Sequence, residues 1–407
     1  MTNTDRLSIK QDYFFMIMAI IPYIFPYGIT SLPLFAEVSK LKYISIIILL
    51  LVLVRHKNGI RIRSSYGICM VSFLIELLIV TIIKSGYIDQ AFKLTIEILY
   101  SMIWSSYMFK RYPKETLRFL TRYYTLVVAL NLLFEILLPG GFAETKGNTI
   151  NFLGDDNKII FFLIPALALS LSYLYRFKNK SEFNKLSVLL FLMYFISEVY
   201  IWAATGMVII AVIAIMIWVV DKNKMINRFF SLRNCLIIVG IICFLVLFRN
   251  NIFREGIIGS FITNILGKTV TFSGRITLWQ QAIPRVMQHP IFGYGISQNS
   301  ERAFIFNTAA GLIEGFSAHN GYLLITLRGG LVGLSLFIFS LTRLIEPARK
   351  TWSVAKDSRI ISYSLIGFLV GCIFEAEFYS FIFIIMLQYL INIPKLEKMK
   401  LPSEMES

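Results

Sequence analysis

The chain has 407 residues, 57% of them hydrophobic and only 16% charged, with a formal net charge of +16. That composition excludes an ordinary soluble domain and indicates a polytopic membrane protein. The positive balance does not indicate a nucleic-acid partner, because Lys and Arg fall in short clusters between apolar runs and not on one basic face.

Met1 to Gln11 carries Asp5, Arg6 and Lys10. The apolar run after it holds Pro22 and Pro26, with no small-residue cleavage pattern behind it, so the first span is read as retained and not as a signal peptide. Runs near the length of a membrane helix then place twelve spans, at about 13–31, 38–54, 65–83, 88–109, 119–138, 158–175, 186–204, 206–220, 234–249, 320–342, 359–375 and 377–393. The expected fold is an all-α polytopic membrane protein.

Alternate connections carry the basic residues. One set holds Arg55, Lys57, Arg61 and Arg63, then Lys110, Arg111, Lys114 and Arg118, then Arg176, Lys178, Lys180 and Lys185, then Lys222, Lys224, Arg228 and Arg233, and finally Arg343, Arg349, Lys350, Lys356 and Arg359. By the positive-inside rule these loops, and both termini, are expected in the cytoplasm. The chain then divides into transmembrane helices over 1–248, a long extracytoplasmic loop over 249–319, and three further spans with a cytoplasmic tail over 320–407.

That loop is the outlier, a polar insertion of about 70 residues where most other connections are short, and such a loop on a membrane scaffold is where chemistry is expected. No nucleotide is available on that face. Any glycosyl donor there must already be membrane-linked. The four cysteines, Cys69, Cys235, Cys243 and Cys372, sit inside apolar runs and read as core thiols, with neither a disulfide framework nor a zinc site indicated.

Several side chains have both a functional and a structural reading. His319, at the junction of loop and span, is either a base or donor to a sugar hydroxyl or an interfacial residue that caps the helix with Asn320. His289 precedes Pro290 and reads as a turn residue, while His56 falls in a cytoplasmic basic loop. Arg275 opens a segment in which Ile276, Trp279, Ile283 and Val286 recur at helical spacing, so it lies near the start of an interfacial helix that Pro284 should bend or end. An Arg there suits a diphosphate, or is a solvated loop residue.

Phe292-Gly293-Tyr294-Gly295 lacks the spacing of a nucleotide loop and reads as a tight interfacial turn. Arg328, inside a span, must find a carboxylate or a phosphate, and Gly329, Gly330 and Gly333 allow close packing beside it. Asp89, Lys93, Glu97, Ser101 and Ser105 recur every four residues as a polar stripe, either a cavity wall or polar glue, in which Lys93 can neutralise Asp89 and Glu97. Glu76, Glu135 and Glu198 fall in outer halves of spans, level with Glu375 and Glu377 in the last turn, which suits an outward cavity for hydroxyl-rich ligands.

In order, Ser273-Gly274-Arg275 with Trp279, Gly293-Tyr294-Gly295, His319-Asn320-Gly321-Tyr322-Leu323 and Gly329 to Gly333 resemble the O-antigen ligase and Wzy-type polysaccharide polymerase family. The motifs cover the last third of the chain. Before them the span pattern matches, as does Asp156-Asn157, similar to a recurrent Asn at the start of a middle span. The resemblance implies a GT-C-like membrane glycosyltransferase that takes an undecaprenyl-diphosphate-linked oligosaccharide and needs no metal or other cofactor. It would act at the outer face of a bacterial cytoplasmic membrane, with membrane lipid, a flippase and a chain-length regulator as partners and no nucleic acid.

By that analogy Arg275 would clamp the diphosphate and His319 would contact the acceptor or act as base. Arg328, Trp279, Asn320, Tyr322, Glu198 and Lys158 are the expected substrate-binding residues. The chain departs from the family at Ala204-Thr205-Gly206, where members often carry Ser-Arg-Gly, so a second diphosphate Arg is missing and Arg328 or Lys158 is the expected replacement. A polymerase of capsular, exopolysaccharide or O-antigen chains is the favoured activity. A ligase that transfers the glycan to lipid A core is the alternative within the family, and a lipid-linked oligosaccharide flippase the alternative outside it.

Overall fold

A computed structural model describes residues 3–55, 64–145, 148–248, 264, 275–308 and 311–400. Its helices, in chain order, are α1 (Asn3–Ile24), α2 (Tyr27–Thr30), α3 (Leu41–Arg55), α4 (Ser65–Ile83), α5 (Ile88–Arg111), α6 (Pro113–Leu137), α7 (Ile160–Phe177), α8 (Lys180–Tyr200), α9 (Ala204–Trp218), α10 (Lys224–Phe229) and α11 (Leu232–Phe248). After the insertion come α12 (Arg275–Gln288), α13 (Gln298–Glu301), α14 (Gly321–Thr342), α15 (Ile345–Thr351), α16 (Lys356–Phe374) and α17 (Phe381–Lys400). Two antiparallel hairpins, β1 (Ala143–Thr145) with β2 (Asn148–Ile150) and β3 (Phe304–Thr308) with β4 (Gly311–Phe316), lie between helices and were not expected from sequence. Ser273, Gly274, His56, Lys57, Arg61 and Arg63 lie outside the described residues.

The chain is an all-α polytopic membrane protein. A helix stands at each of the twelve expected spans. Among the described residues seven helices are long and apolar enough to cross a membrane, and Gln11–Ile24 and Leu232–Phe248 are shorter apolar ones. The others fall short for visible reasons: α3 has 15 residues, and α5 carries Asp89, Lys93, Glu97, Lys110 and Arg111. Outer helices turn Ile47, Leu51, Ile83, Leu189 and Ile241 outward, the side chains a hydrocarbon surround accepts. Ends are fixed locally. The Ser64 hydroxyl accepts from Gly67 N–H at 3.1 Å, Asn179 Oδ1 from Glu182 N–H at 2.8 Å, and Asn320 Oδ1 from Leu323 N–H at 2.9 Å.

The departure that shapes the site is a break inside α14. Gly330 has φ +62° and ψ −159°, a conformation only glycine adopts at low cost, and it interrupts the ladder of helical hydrogen bonds. The freed groups find partners in the Pro290–Gly295 segment. Leu331 N–H donates to Pro290 O at 2.7 Å and Val332 N–H to Ile291 O at 3.1 Å. In return Leu327 O accepts from Tyr294 N–H at 2.7 Å and Arg328 O from Gly295 N–H at 2.8 Å. Backbone polar groups inside a membrane protein must be satisfied, and here the end of the loop supplies what the helix gives up. Gly293-Tyr294-Gly295 and Arg328-Gly329-Gly330 are thus two halves of one joint.

Other expectations change in detail. Pro284 does not end α12, which runs on to Gln288. Ile276 and Trp279 are buried on the expected face of that helix, with Ile283 and Val286 partly buried against the core. In α5, Lys93 meets Asp89 at 3.4 Å, but Glu97 pairs with Lys42 of α3 at 2.6 Å and not with Lys93, because Lys42 reaches it across the helix interface. Lower in the stripe, the Ser101 hydroxyl donates to Phe381 O at 2.9 Å, which is polar glue. At the opposite end of the bundle Arg176 Nε is 2.5 Å from Asp357, and Arg359 pairs with Asp221.

Candidate active site

Three elements deliver the central residues. α12 begins with Arg275; the turn before α14 presents His319; the connection between α16 and α17 begins with Glu375. Glu375 joins the other two. Its Oε1 accepts from the Arg275 guanidinium, and its Oε2 lies 3.2 Å from His319 Nδ1. The Glu375 side chain is 5% exposed, Arg275 16% and His319 22%, so the carboxylate sits behind two cations or donors that face outward. Burial alone would push the Glu375 carboxyl upward, but Arg275 and His319 outweigh it and hold the group below its ordinary 4.5.

His319 is held in an unusual backbone state, with φ +43°, which is costly for a residue with a Cβ. The neighbours lock it there. Asn320 caps α14 and its Nδ2 donates to Ile373 O at 2.8 Å, while the Tyr322 hydroxyl donates to Leu369 O at 2.9 Å. Gly321 is tight against the Glu377 carbonyl, where an added Cβ would approach to 2.2 Å. These contacts tie the start of α14 to the end of α16, and so set His319 against Glu375. The Asn320 and Tyr322 side chains thus bridge α14 and α16, and Trp279, 1% exposed, is buried on the helix that Arg275 begins.

Lys158, just ahead of α7, meets Glu377 at 2.9 Å. That carboxylate raises the lysine further above its ordinary 10.5, against the opposing effect of burial, so Lys158 is a fixed positive charge beside the central group. Arg328 finds a carboxylate and not an open position: its Nε and one terminal nitrogen meet the two oxygens of Glu301 at 2.7 Å each, and its guanidinium lies 5.4 Å over the Phe378 ring.

Glu198 is wholly buried, and neither carboxylate oxygen has a hydrogen-bond partner among the described residues. Its neighbours are Gly206, where a Cβ would fall 1.8 Å from the carboxylate, and the acids Glu135 and Asp156. The expected carboxylates thus fall into separate clusters of neighbours. Glu135 and Glu198 form an inner group, with Asn131 Nδ2 donating to Glu135 at 2.5 Å, while Glu76 lies against Gly329 and Gly333 beside the break in α14. At Ala204-Thr205-Gly206 the small residue makes room for Glu198, which accounts for the glycine there.

Of the carboxylates that organise the site, Glu375 and Glu377 are read from the sequence only as part of a set of acids around an outward cavity, not as partners of Arg275, His319 and Lys158, and Glu301 is not singled out at all. Glu375-Ala376-Glu377 was visible as a charged turn between two apolar runs, but an acid in a turn ordinarily reads as solvated, and only the fold puts Arg275 and His319 against it.

Residues 158–338 match the family model described as O-antigen ligase. No curated protein and no solved structure matches the chain. The match runs from Lys158 through the break in α14 and includes Arg275 and His319. The match covers less than half of the chain; it supports a polysaccharide-related membrane enzyme and does not separate a polymerase from a ligase.

Proposed function

We propose that the chain polymerises a cell-surface polysaccharide at the outer face of a bacterial cytoplasmic membrane, with both termini inside. It transfers a glycan from undecaprenyl diphosphate to a hydroxyl of a second lipid-linked repeat unit. The observation that carries this reading is the placing of Arg275 and His319 on the two oxygens of one buried carboxylate.

In this scheme the Glu375 carboxylate accepts from His319 Nδ1–H, which leaves Nε2 as the acceptor; this tautomer is assigned from the hydrogen bond. The acceptor hydroxyl gives its proton to Nε2 as its oxygen attacks the anomeric carbon. The bond from that carbon to the diphosphate oxygen breaks, and undecaprenyl diphosphate leaves with the electron pair. Arg275, with Lys158 as a second cation, offsets the charge that develops on the leaving group. A base oriented by a buried carboxylate is the arrangement by which neutral hydroxyls are activated elsewhere. Arg328 is given a positioning role, since Glu301 occupies its fork.

A second reading, ligation of the glycan to lipid A core, uses the same residues, and a ligase is what the description of the matched family names. Purified protein supplied with lipid-diphosphate-linked repeat units and no nucleotide sugar separates the possibilities. A ladder of whole repeat units is expected. Product formed only when lipid A core is added would replace the polymerase with the ligase, and intact substrate with folded protein under both conditions would move the assignment to a flippase.

A further inference from the structure

Beyond the pair of cations, the connection between α16 and α17 leads to a second set of polar side chains. Glu377 holds Lys158 at 2.9 Å, Phe378 turns into the core, and the Tyr379 phenol faces Glu97 of α5. Burial first, then the charges of Glu97 and Glu377, raise the Tyr379 hydroxyl above its ordinary 10.0 and keep it a neutral donor. Glu97 is paired in turn with Lys42 at the start of α3, 2.6 Å away.

The pair is not a sealed structural bridge. Its side chains are 34% and 31% exposed, and an ion pair so open to its surroundings adds little stability, while charge in a membrane span is expensive. Its surroundings are nevertheless fixed. Lys42 lies 5.3 Å over the Tyr23 ring, which stacks on Tyr100 at 4.2 Å and on Phe381 at 4.9 Å. The result is a carboxylate, an ammonium and a phenol on a stiff aromatic floor, a set that accepts from and donates to neighbouring hydroxyls at once. Glu97 already balances the charge of Lys42, so the set offers no unpaired cation for a diphosphate and its chemistry fits an uncharged, hydroxyl-rich sugar. Tyr379 is four positions after Glu375, at most about 14 Å of chain, within the reach of a short oligosaccharide whose reacting end sits at His319.

We propose that Lys42, Glu97 and Tyr379 form a subsite that binds the sugar rings of the lipid-linked substrate away from the reacting bond. The proposal rests on the glycosyltransferase reading above. The probe is the lipid-diphosphate-linked repeat unit extracted from cells that make the polymer. In the purified system Glu97→Gln and Tyr379→Phe are each expected to raise KM about ten-fold, as loss of a hydrogen bond to a substrate hydroxyl does, with kcat little changed. The exchanged double variant Lys42→Glu/Glu97→Lys keeps an ion pair at the same place. If the pair served only to join α3 and α5, the exchange would restore KM and overturn the subsite, and so would unchanged KM in the single variants. If wild-type protein forms no product with or without lipid A core, the enzymatic reading falls by itself. The subsite is then read from the thermal shift that the same lipid-linked unit gives the protein: a shift lost in Glu97→Gln supports it, and no shift or an equal one overturns it.

Discussion

His319 Nδ1 lies 3.2 Å from Glu375 Oε2, and the other oxygen of that carboxylate holds Arg275. One buried acid therefore orients both the group suited to take a proton and the group suited to meet a diphosphate. Glu375→Gln removes the charge from this centre with almost no change of shape. The expected result is a fall in kcat of at least about 100-fold, the scale on which loss of an orienting carboxylate acts, in a protein that still folds but melts somewhat lower. Rates from a gel-resolved polymer ladder check it.

The acid limb of the same centre follows from the lowered Glu375. A group whose folded value lies below its unfolded value stabilises the fold above the unfolded value, and that contribution is lost as pH falls through the folded one. Glu375 departs downward from 4.5, so its ion pairs are complete at neutral pH and begin to fail only below about pH 4.5. Melting temperature measured against pH is expected to show wild type and Glu375→Gln separated by a constant gap above that point. Below it the gap should close.

The joint at the break in α14 gives a stability test away from chemistry. A Cβ at Gly330 would meet Ile291 C and O at 2.2 Å, and the backbone there has φ +62°. Gly330→Ala is expected to cost at least about 1–3 kcal/mol from the backbone alone, before the clash is counted. Yield and melting temperature should fall together. Gly140→Ala, with nothing within 4 Å of the added Cβ, is the control and should leave both unchanged.

Arg328 tests a structural role against a diphosphate role. Its fork is filled by Glu301, so Arg328→Ala leaves a partly buried carboxylate unpaired, which is expected to cost about 3 kcal/mol. Replacing both partners, in Arg328→Met/Glu301→Leu, should recover most of that stability. Recovery of polymer formation alongside it would leave Arg328 as a positioning residue. A stable but inactive double variant would make Arg328 a ligand for the substrate.

Much of the scaffold was legible because an apolar run of membrane length has few alternatives in lipid, and a helix stands at each run read from the sequence. The amphipathic start of α12 at Arg275 was legible by the same periodicity, through Ile276 and Trp279. What stayed hidden depends on pairing between distant segments. Gly293-Tyr294-Gly295 and Arg328-Gly329-Gly330 were each visible as glycine motifs, but nothing local says that one repairs the backbone of the other. Glu97 appeared matched to Lys93 by helical spacing, and Lys42, from a different helix, takes it instead. Glu375 was legible as an acid of the outer turn, but its pairing was hidden for the same reason, since its partners come from a helix and a turn far from it in the chain.

The role of His319 is tested by the chain-length ladder that purified His319→Ala makes from lipid-linked repeat units, beside wild type, with melting transitions recorded for both. Wild type is expected to give a ladder, and folded His319→Ala none. An unaltered ladder from the variant would contradict the central role given to His319.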